Sequence, residues 1–186
     1  MLLIEKLRSL QNANAEIIDQ IAESFIPKTF NKGLLLSTPE YSHPVLYYVE
    51  NGLARGYFLH EGKENTSWII ESGFILPSTS FFAKTSSAEH ISFISDSIGY
   101  SMNLSLIDDF AKVDPTFYRI LLEIYEEDIH LRIQRERMLR IRHAETRFLH
   151  SQKEYPELIY LPIHNIIASF LNIESKYFFK IKRKYR

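Results

Sequence analysis

The sequence predicts an α+β protein in three parts: a β-rich N-terminal domain, a long helix and a C-terminal helix-turn-helix. Three observations support this class. Turn-forming residues recur every 8 to 12 positions between residues 27 and 102, no Gly or Pro occurs in residues 116–155, and the last 25 residues combine an apolar helical stripe with a cationic segment. We place the three parts at residues 1–113, 114–142 and 143–186.

The first 25 residues predict two short helices. Apolar residues recur there at helical spacing: Leu3, Leu7, Leu10, Ile17, Ile18, Ile21 and Phe25. Asn12 and Asn14 favour a break or a helix cap between the two segments. We expect these helices to pack on the domain that follows.

Residues 27–102 predict many short strands separated by turns. The clearest β-rich runs are Val45–Val49, Leu53–Leu59, Thr66–Ile70 and Ile91–Ile98. Short strands at this spacing are typical of a β-sandwich or a β-barrel. Residues 59–64 would form a hairpin between two of these strands.

A long helix is predicted to begin at Asp114-Pro115, because an acidic N-cap followed by proline favours a helix start. It could continue to about His150, since no Gly or Pro intervenes. Apolar residues along it form a seam at steps of 3, 4 and 4, close to coiled-coil spacing: Leu122, Tyr125, Ile129 and Ile133. The seam could pack on the β-rich domain or on a second copy of the helix. We favour dimerisation because the helix is so long.

The last 25 residues predict a helix-turn-helix. Apolar residues form the stripe of a first helix: Ile163, Ile166, Ile167, Phe170 and Leu171. Residues 172–175 then favour a turn, and Ser175 is a suitable N-cap for a second helix. Residues 176–186 hold six cations and no acid, together with three apolar side chains at helical spacing. A basic tail is often only a solvated end, but such a tail would not need an apolar stripe.

Charge is distributed unevenly along the chain. The formal net charge is −1, but residues 131–186 carry +8, which leaves −9 for residues 1–130. The positive charge comes mainly from six arginines in residues 131–147 and six cations in residues 176–186. An acidic module joined to a basic one suggests that the basic part meets a polyanion. The arginine run is then a solvated face, a phosphate contact or both.

No pattern for catalysis or metal binding is evident. The chain has no cysteine, which excludes disulfides and thiolate metal sites. Its seven histidines form no His-X-His pair, and no phosphate-binding glycine loop or G-x-S-x-G occurs. We expect no enzyme activity, no metal and no cofactor. Because the N-terminus carries Glu5 and no stretch reaches about 20 apolar residues, we expect a cytoplasmic protein without a membrane span.

Three stretches are more specific than these patterns. Residues 144–158 read AETRFLHSQKEYPEL, residues 167–173 read IASFLNI, and residues 47–52 read YYVENG. With the order of the parts, they resemble the cyclic-AMP receptor/fumarate-nitrate regulator (CRP/FNR) family of bacterial transcription factors, in its short form, over almost the whole chain. The resemblance implies an N-terminal β-roll (a jelly roll of the cyclic-nucleotide-binding type), a long dimerisation helix and a C-terminal helix-turn-helix that binds DNA in the major groove.

The resemblance does not extend to cyclic-nucleotide binding. Family members that bind a cyclic nucleotide carry a Gly-Glu pair after a strand, and an arginine that clamps the phosphate. Here Gly73 is not followed by glutamate, and no arginine occurs between Arg55 and Arg119, so the charge-assisted fork is missing. Gly73, Ser78 and Lys84 are the candidates for a pocket that takes another small-molecule effector, if any.

The recognition helix also departs from the family's Pro-Glu-Thr-Leu-Ser-Arg-Ile-Arg. The family's acid, which suits cytosine, is replaced by Lys176, and its arginine, which suits guanine, by Lys180. Phe179 replaces a serine, where it could contact a thymine methyl group or mark a degenerate reader. We therefore predict base contacts from these three residues. We predict phosphate contacts from Arg147, Ser175, Lys182, Arg183 and Lys184. The last turn of this helix is expected to fray.

The leading hypothesis is a homodimeric, cytoplasmic transcription regulator of the CRP/FNR type that binds DNA and does not respond to a cyclic nucleotide. The alternative is a β-roll module that binds a ligand or a protein and whose helix-turn-helix has lost sequence-specific DNA recognition. A third hypothesis, a cupin-like enzyme, would require a bound metal ion.

Overall fold

The computed structural model describes residues 2–11, 14–39, 44–76 and 89–185. The chain divides into two compact units. The first consists of Met1–Gly56 and Ile69–Asp128, and the second of Tyr57–Trp68 and Ile129–Arg186. This division does not follow chain order, because the outer part of one hairpin groups with the C-terminal residues.

The described β-strands form two four-stranded sheets, where the spacing of turn residues predicted a β-sandwich or a β-barrel. In chain order the strands are β1 (Ile26–Phe30), β2 (Leu35–Ser37), β3 (Val45–Asn51), β4 (Ala54–His60), β5 (Lys63–Ile70), β6 (Gly73–Ile75), β7 (His90–Phe93) and β8 (Ser97–Asn103). The sheet orders are β1-β8-β3-β6 and β2-β7-β4-β5. Phe30 and Phe93 come from different sheets and stack with ring centroids 4.2 Å apart, so the sheets pack face to face.

Three helices share an apolar core with the first of these sheets: α1 (Leu2–Arg8), α2 (Ala15–Glu23) and α3 (Ser105–Ala111). Leu3 and Leu7 of α1 are buried in one cluster with Met102 of β8. The Asn14 side chain caps α2 by accepting a 2.9 Å hydrogen bond from the Ile17 amide. The predicted packing of two N-terminal helices on the β-rich domain is confirmed.

Helix α4 (Thr116–Leu139) begins where the sequence predicted and ends earlier. The Asp114 carboxylate accepts a 2.8 Å hydrogen bond from the Thr116 amide at its start. The predicted continuation to about His150 is wrong, because the chain leaves the helix after Leu139 and passes through extended backbone at His143. Helix α5 (Ala144–Glu154) then begins. No Gly or Pro marks this break, which is held by tertiary hydrogen bonds.

The predicted seam residues of α4 differ in exposure. Leu122, Ile129 and Ile133 are 60%, 51% and 49% exposed. Tyr125 is half-buried and packs against the core of the first unit. A different face of the helix is buried in that core: Phe117, Ile120, Leu121 and Ile124. The helix thus packs on its own domain along one face and keeps an apolar row exposed.

The predicted helix-turn-helix lies in the second unit. It consists of α6 (His164–Phe170) and α7 (Ser175–Lys184), preceded by α5 and a 3₁₀ turn at Leu158–Tyr160. Phe148 of α5 and Phe178 of α7 are completely buried, and their rings meet edge to face with centroids 5.8 Å apart. This aromatic pair fixes α7 against α5.

The turn between α6 and α7 is a Schellman motif. Asn172 has a φ of 50°, and its amide donates a 3.0 Å hydrogen bond to the Ser169 carbonyl. The Ile173 amide donates a 2.9 Å hydrogen bond to the Ala168 carbonyl. Asparagine is among the few residues that tolerate this left-handed position. The turn predicted at residues 172–175 is present at residues 171–174, and Ser175 already belongs to α7.

Candidate nucleic-acid interface

Helix α7 is capped by the residue before it. The Glu174 carboxylate accepts hydrogen bonds from the amides of Lys176 (3.1 Å) and Tyr177 (2.9 Å). These bonds favour the ionised form and hold the pKa of Glu174 below its usual value. The prediction of Ser175 as N-cap is wrong, since Ser175 is already helical. The longer Glu174 side chain reaches two orphan amides from one position earlier.

Three cations of α7 point away from the domain. Phe178 and Ile181 are buried and define the inward face. At 3.6 residues per turn, Lys176, Lys180 and Arg183 lie on the opposite face at positions i, i+4 and i+7, and all three are exposed. Neither Lys180 nor Arg183 forms an ion pair with the residues that the structure describes. We call Lys176, Lys180 and Arg183 the outward row; it extends about 10 Å along the helix.

Phe179 flanks the outward row and is held by aromatic contacts. Its side chain is 43% exposed. Its ring meets the His164 ring at 87° with centroids 5.2 Å apart, and the Phe178 ring at 72° with centroids 6.3 Å apart. Edge-to-face pairs of aromatic rings contribute about 0.5–1.5 kcal/mol beyond simple burial. An apolar ring is therefore fixed at the rim of a cationic surface.

Lys182 points into the domain. Its ammonium donates a 2.8 Å hydrogen bond to the Ile159 carbonyl and lies 5.7 Å from the centroid of the Tyr160 ring. It is also 3.3 Å from Nδ1 of His164. Burial, assisted by this positive charge, lowers the pKa of His164, so the imidazole is neutral at neutral pH. Lys182 has an internal partner in the domain, which does not fit the predicted phosphate contact.

The C-terminal end of α7 is clamped to α5 by Glu145. The carboxylate accepts hydrogen bonds from Lys184 Nζ (2.9 Å) and from the hydroxyl groups of Tyr185 (3.0 Å) and Tyr177 (3.3 Å). The Lys184 hydrogen bond is the main cause of a lowered pKa at Glu145, and the same bond raises the pKa of Lys184. The last turn is therefore anchored, contrary to the expected fraying. Lys184, a predicted phosphate contact, is ion-paired within the domain.

Arg147 braces the interior of the second unit. It is only 8% exposed, and its guanidinium donates to three backbone carbonyls. Nη1 donates to Ile141 (2.6 Å), Nε to Leu171 (2.6 Å) and Nη2 to Asn172 (2.7 Å). One side chain thus joins the break after α4 to the turn of the helix-turn-helix. Because these donors are used inside the domain, the predicted phosphate contact does not fit, and we exclude Arg147 from the interface.

Sequence reasoning missed a second arginine with a bracing role. Arg135 of α4 donates through Nε and Nη2 to the Phe170 carbonyl, at 3.2 Å and 3.0 Å. Nη2 also donates to the Thr66 carbonyl at 2.8 Å. The Ser169 hydroxyl accepts a 2.9 Å hydrogen bond from the Thr66 amide and donates a 3.0 Å hydrogen bond to the Glu64 carbonyl. These contacts tie α6 to the β4–β5 hairpin. The acceptors are distant backbone carbonyls, so the arginine run carried no signal for them.

The candidate effector pocket is only partly described. Ser78 and Lys84 lie outside the described residues. Gly73 begins β6 with a φ of 132°. The two sheets enclose a cavity of about 10 Å³, lined in part by Leu36 and Ile75. This cavity has room for about one water molecule, whereas small-molecule sites usually occupy roughly 300 Å³ or more. An effector pocket stays a prediction.

Two kinds of site are absent from the part of the chain that the structure describes. None of its helices is both long enough and apolar enough to cross a membrane. No group of three or more His, Asp or Glu side chains is placed to hold a metal ion.

Comparison with known proteins identifies the fold through structure and not through sequence. No model of a known protein family matches the chain, and no curated protein matches its sequence. A CooA mutant from Carboxydothermus hydrogenoformans is 17% identical with a TM-score of 0.68, covering 98% of this chain and 83% of that one. The c-di-GMP responsive global regulator CLP of Xanthomonas campestris is 15% identical with a TM-score of 0.69, covering 92% and 91%.

A third solved structure carries the family name. It is a transcriptional regulator assigned to the Crp/Fnr family from Eubacterium rectale, 13% identical, with a TM-score of 0.66 over 94% of this chain and 84% of that one. At such low identity these likenesses establish the fold alone. The chain has the fold of CRP/FNR regulators, and the predicted α+β architecture is confirmed.

The bracing role of Arg147 predicts that Arg147→Lys destabilises the second unit. A lysine ammonium keeps the charge but cannot reach three separated carbonyls as a guanidinium does. We expect a loss of about 3 kcal/mol in the free energy of unfolding, since hydrogen bonds to charged groups are worth roughly 1.5–3 kcal/mol each. Denaturation followed by circular dichroism measures this loss. Arg137→Lys, at an exposed position of α4, is the matched control. An unchanged stability combined with weaker DNA binding would restore the phosphate contact.

The Glu145 clamp predicts an acid-sensitive last turn of α7. The pKa of Glu145 is lowered in the folded chain, so its stabilisation is present above the unfolded carboxyl pKa of about 4.3 and is lost as pH falls through the folded value. We expect the NMR signals of the Tyr185 ring to shift below about pH 4 in the unmodified chain and not in Glu145→Gln. Glu157→Gln is the control, since Glu157 is exposed. A shift that persists in Glu145→Gln would assign the transition to another carboxyl group and contradict the role of the Glu145 clamp.

Proposed function

We propose that this protein is a DNA-binding transcription regulator of the CRP/FNR type. The observation that carries the proposal is the outward row, three exposed cations on the second helix of a helix-turn-helix. A helix in this position enters the major groove of DNA while the first helix crosses the backbone. The likeness to solved regulators of the same fold supports this reading.

The geometry revises the roles of the cations at this interface. Lys176 and Lys180 occupy the first turns of α7, from which they would reach base edges such as guanine O6 and N7. Arg183 lies further along the same face and would contact phosphate. Ser175, half-buried at the first helical position, keeps its proposed phosphate contact. Lys182 and Lys184 have partners within the domain and contribute to its positive field at most.

We further propose that the protein acts as a homodimer through α4. Leu122, Ile129 and Ile133 form an exposed apolar row with near-heptad spacing, which a second copy of the helix would cover. A two-fold pair of this kind presents two recognition helices to successive major grooves, about 34 Å apart. We do not propose a cyclic nucleotide as effector, because residues 56–118 contain no arginine that could clamp its phosphate.

A second candidate function is a β-roll module that binds a ligand or a protein, with a helix-turn-helix that no longer reads sequence. The chemistry of the outward row favours it. Lys176 and Lys180 are point charges without the planar fork of arginine, so they fix the geometry of a base contact less strictly. Both lysines would attract phosphate on any DNA sequence.

Selection from a random DNA pool at about 150 mM salt distinguishes the two candidates. Enrichment of a palindrome with half-sites one helical turn apart is the result expected for a dimeric, sequence-specific regulator. An unenriched pool, with binding that weakens steeply as salt rises, would indicate phosphate attraction alone. That outcome would favour the β-roll module.

Lys180→Ala is expected to weaken binding to the selected operator by about 1–3 kcal/mol and to relax base preference at one position. Arg183→Ala should weaken binding to operator and random DNA alike and reduce the salt slope by about 1. Fluorescence anisotropy on both DNAs over a series of salt concentrations measures each effect. Lys153→Ala, an exposed lysine at the end of α5, is the matched control. Equal losses on both DNAs from Lys180→Ala would remove its base-reading role.

A further inference from the structure

Phe179 is an exposed aromatic ring on an otherwise cationic surface. Lys180 follows it directly, and Lys176 and Arg183 lie three residues before it and four after it. The domain does not need this ring for its core, because Phe178 fills that place with no exposure at all. Water contact with a large apolar side chain is unfavourable, so a partner surface that covers Phe179 would stabilise the complex.

The orientation of the Phe179 ring is set by a chain of contacts. The Ile159 carbonyl holds the Lys182 ammonium at 2.8 Å, that ammonium lies 3.3 Å from the His164 ring, and the His164 ring meets Phe179 at a right angle. The ring therefore stands at a defined place beside the outward row. A group fixed in this way loses little conformational freedom on binding.

The neighbours of Phe179 identify the chemical group it would meet. Lysine and arginine bind phosphate oxygens and the acceptors of guanine, and an aromatic ring does neither. In the major groove the apolar group on the base edges is the C5 methyl of thymine. Cytosine, the other pyrimidine, lacks that methyl group, and 5-methylcytosine regains it. A methyl contact thus gives Phe179 a way to distinguish bases without a hydrogen bond.

We infer that Phe179 selects thymine, through its C5 methyl group, at one position in each operator half-site. The inference rests on the proposed DNA-binding function and specifies how its base recognition works. His164 is a positioning residue for this contact, since it touches the ring of Phe179 and lies on α6. The two lysines of the outward row would then contact base edges or phosphates at the flanking positions.

Parallel selections from two random pools test the inference with the full chain. One pool contains thymine and the other contains uracil in its place, which removes the methyl group and keeps every hydrogen-bonding atom. We expect a thymine preference at one half-site position in the first pool, and no uracil preference at that position in the second. Preferences at other positions should be the same in both pools. With Phe179→Ala, both pools should give the consensus that lacks a preference at this position.

Affinity measurements on the selected operator give the magnitude. Replacing the critical thymine by uracil should weaken binding by about threefold to fivefold, the effect of one buried methyl group. Phe179→Ala should abolish this uracil penalty, and Phe179→Leu should retain part of it. His164→Ala should reduce the penalty without removing operator binding, and His164→Phe should restore it. An operator with 5-methylcytosine at this position should bind more tightly than one with cytosine, and only when Phe179 is present.

The outcomes separate this inference from the proposed function. An identical consensus from both pools, including the position facing Phe179, would overturn thymine selection while leaving the regulator proposal intact. No consensus from either pool would overturn both, since Phe179 would have no base to read. A uracil penalty that is unchanged in Phe179→Ala would assign the methyl contact to another residue and overturn the role of Phe179.

Discussion

The second unit depends on the way its arginines satisfy the end of helix α6. The carbonyls of Phe170, Leu171 and Asn172 lie beyond the reach of further helical amides, and such groups are costly to leave unpaired when buried. Arg135 donates to the first of them and Arg147 to the other two. The two carbonyls before them, Ala168 and Ser169, are taken by the amides of the Schellman turn. Every carbonyl at this helix end therefore has a partner.

The same two guanidinium groups also hold the neighbouring elements of the second unit in place. Arg147 also holds the Ile141 carbonyl in the break between α4 and α5, and Arg135 holds the Thr66 carbonyl of the β4–β5 hairpin. Arginine suits this role because its planar fork keeps its charge and offers five donors at fixed angles. A buried guanidinium is tolerated only with such partners. The position of α7, and of any surface it presents, follows from these bonds.

Helix α7 uses its cations in two ways. Lys182 and Lys184 bind an internal carbonyl and the Glu145 carboxylate, and so hold the helix on the domain. The outward row is left exposed with Phe179 at its rim. Because Glu174 and Glu145 engage opposite ends of the helix, the exposed positive charge is concentrated on its outward face. Fewer residues of α7 are therefore available for an interface than the charge of the segment suggests.

Local patterns in the sequence determined the elements and their order. Turn residues separated the strands, and Asp114 and Asn172 marked a helix start and a helix end. These features depend on neighbours within a few residues, which a sequence displays directly. The family resemblance named the fold through short stretches such as residues 144–158, although three solved structures of this fold are only 13–17% identical to the chain.

Only the tertiary structure decided where α4 ends and which cations face outward. Residue type alone could not separate Arg147 from Arg137, or Lys182 from Lys180, because each pair has the same charge and similar local spacing. Their difference lies in partners that are far away in the chain, such as the Leu171 carbonyl for Arg147 and the Ile159 carbonyl for Lys182. Backbone carbonyls are present at every position, so no sequence signal reveals which of them a long cationic side chain will meet.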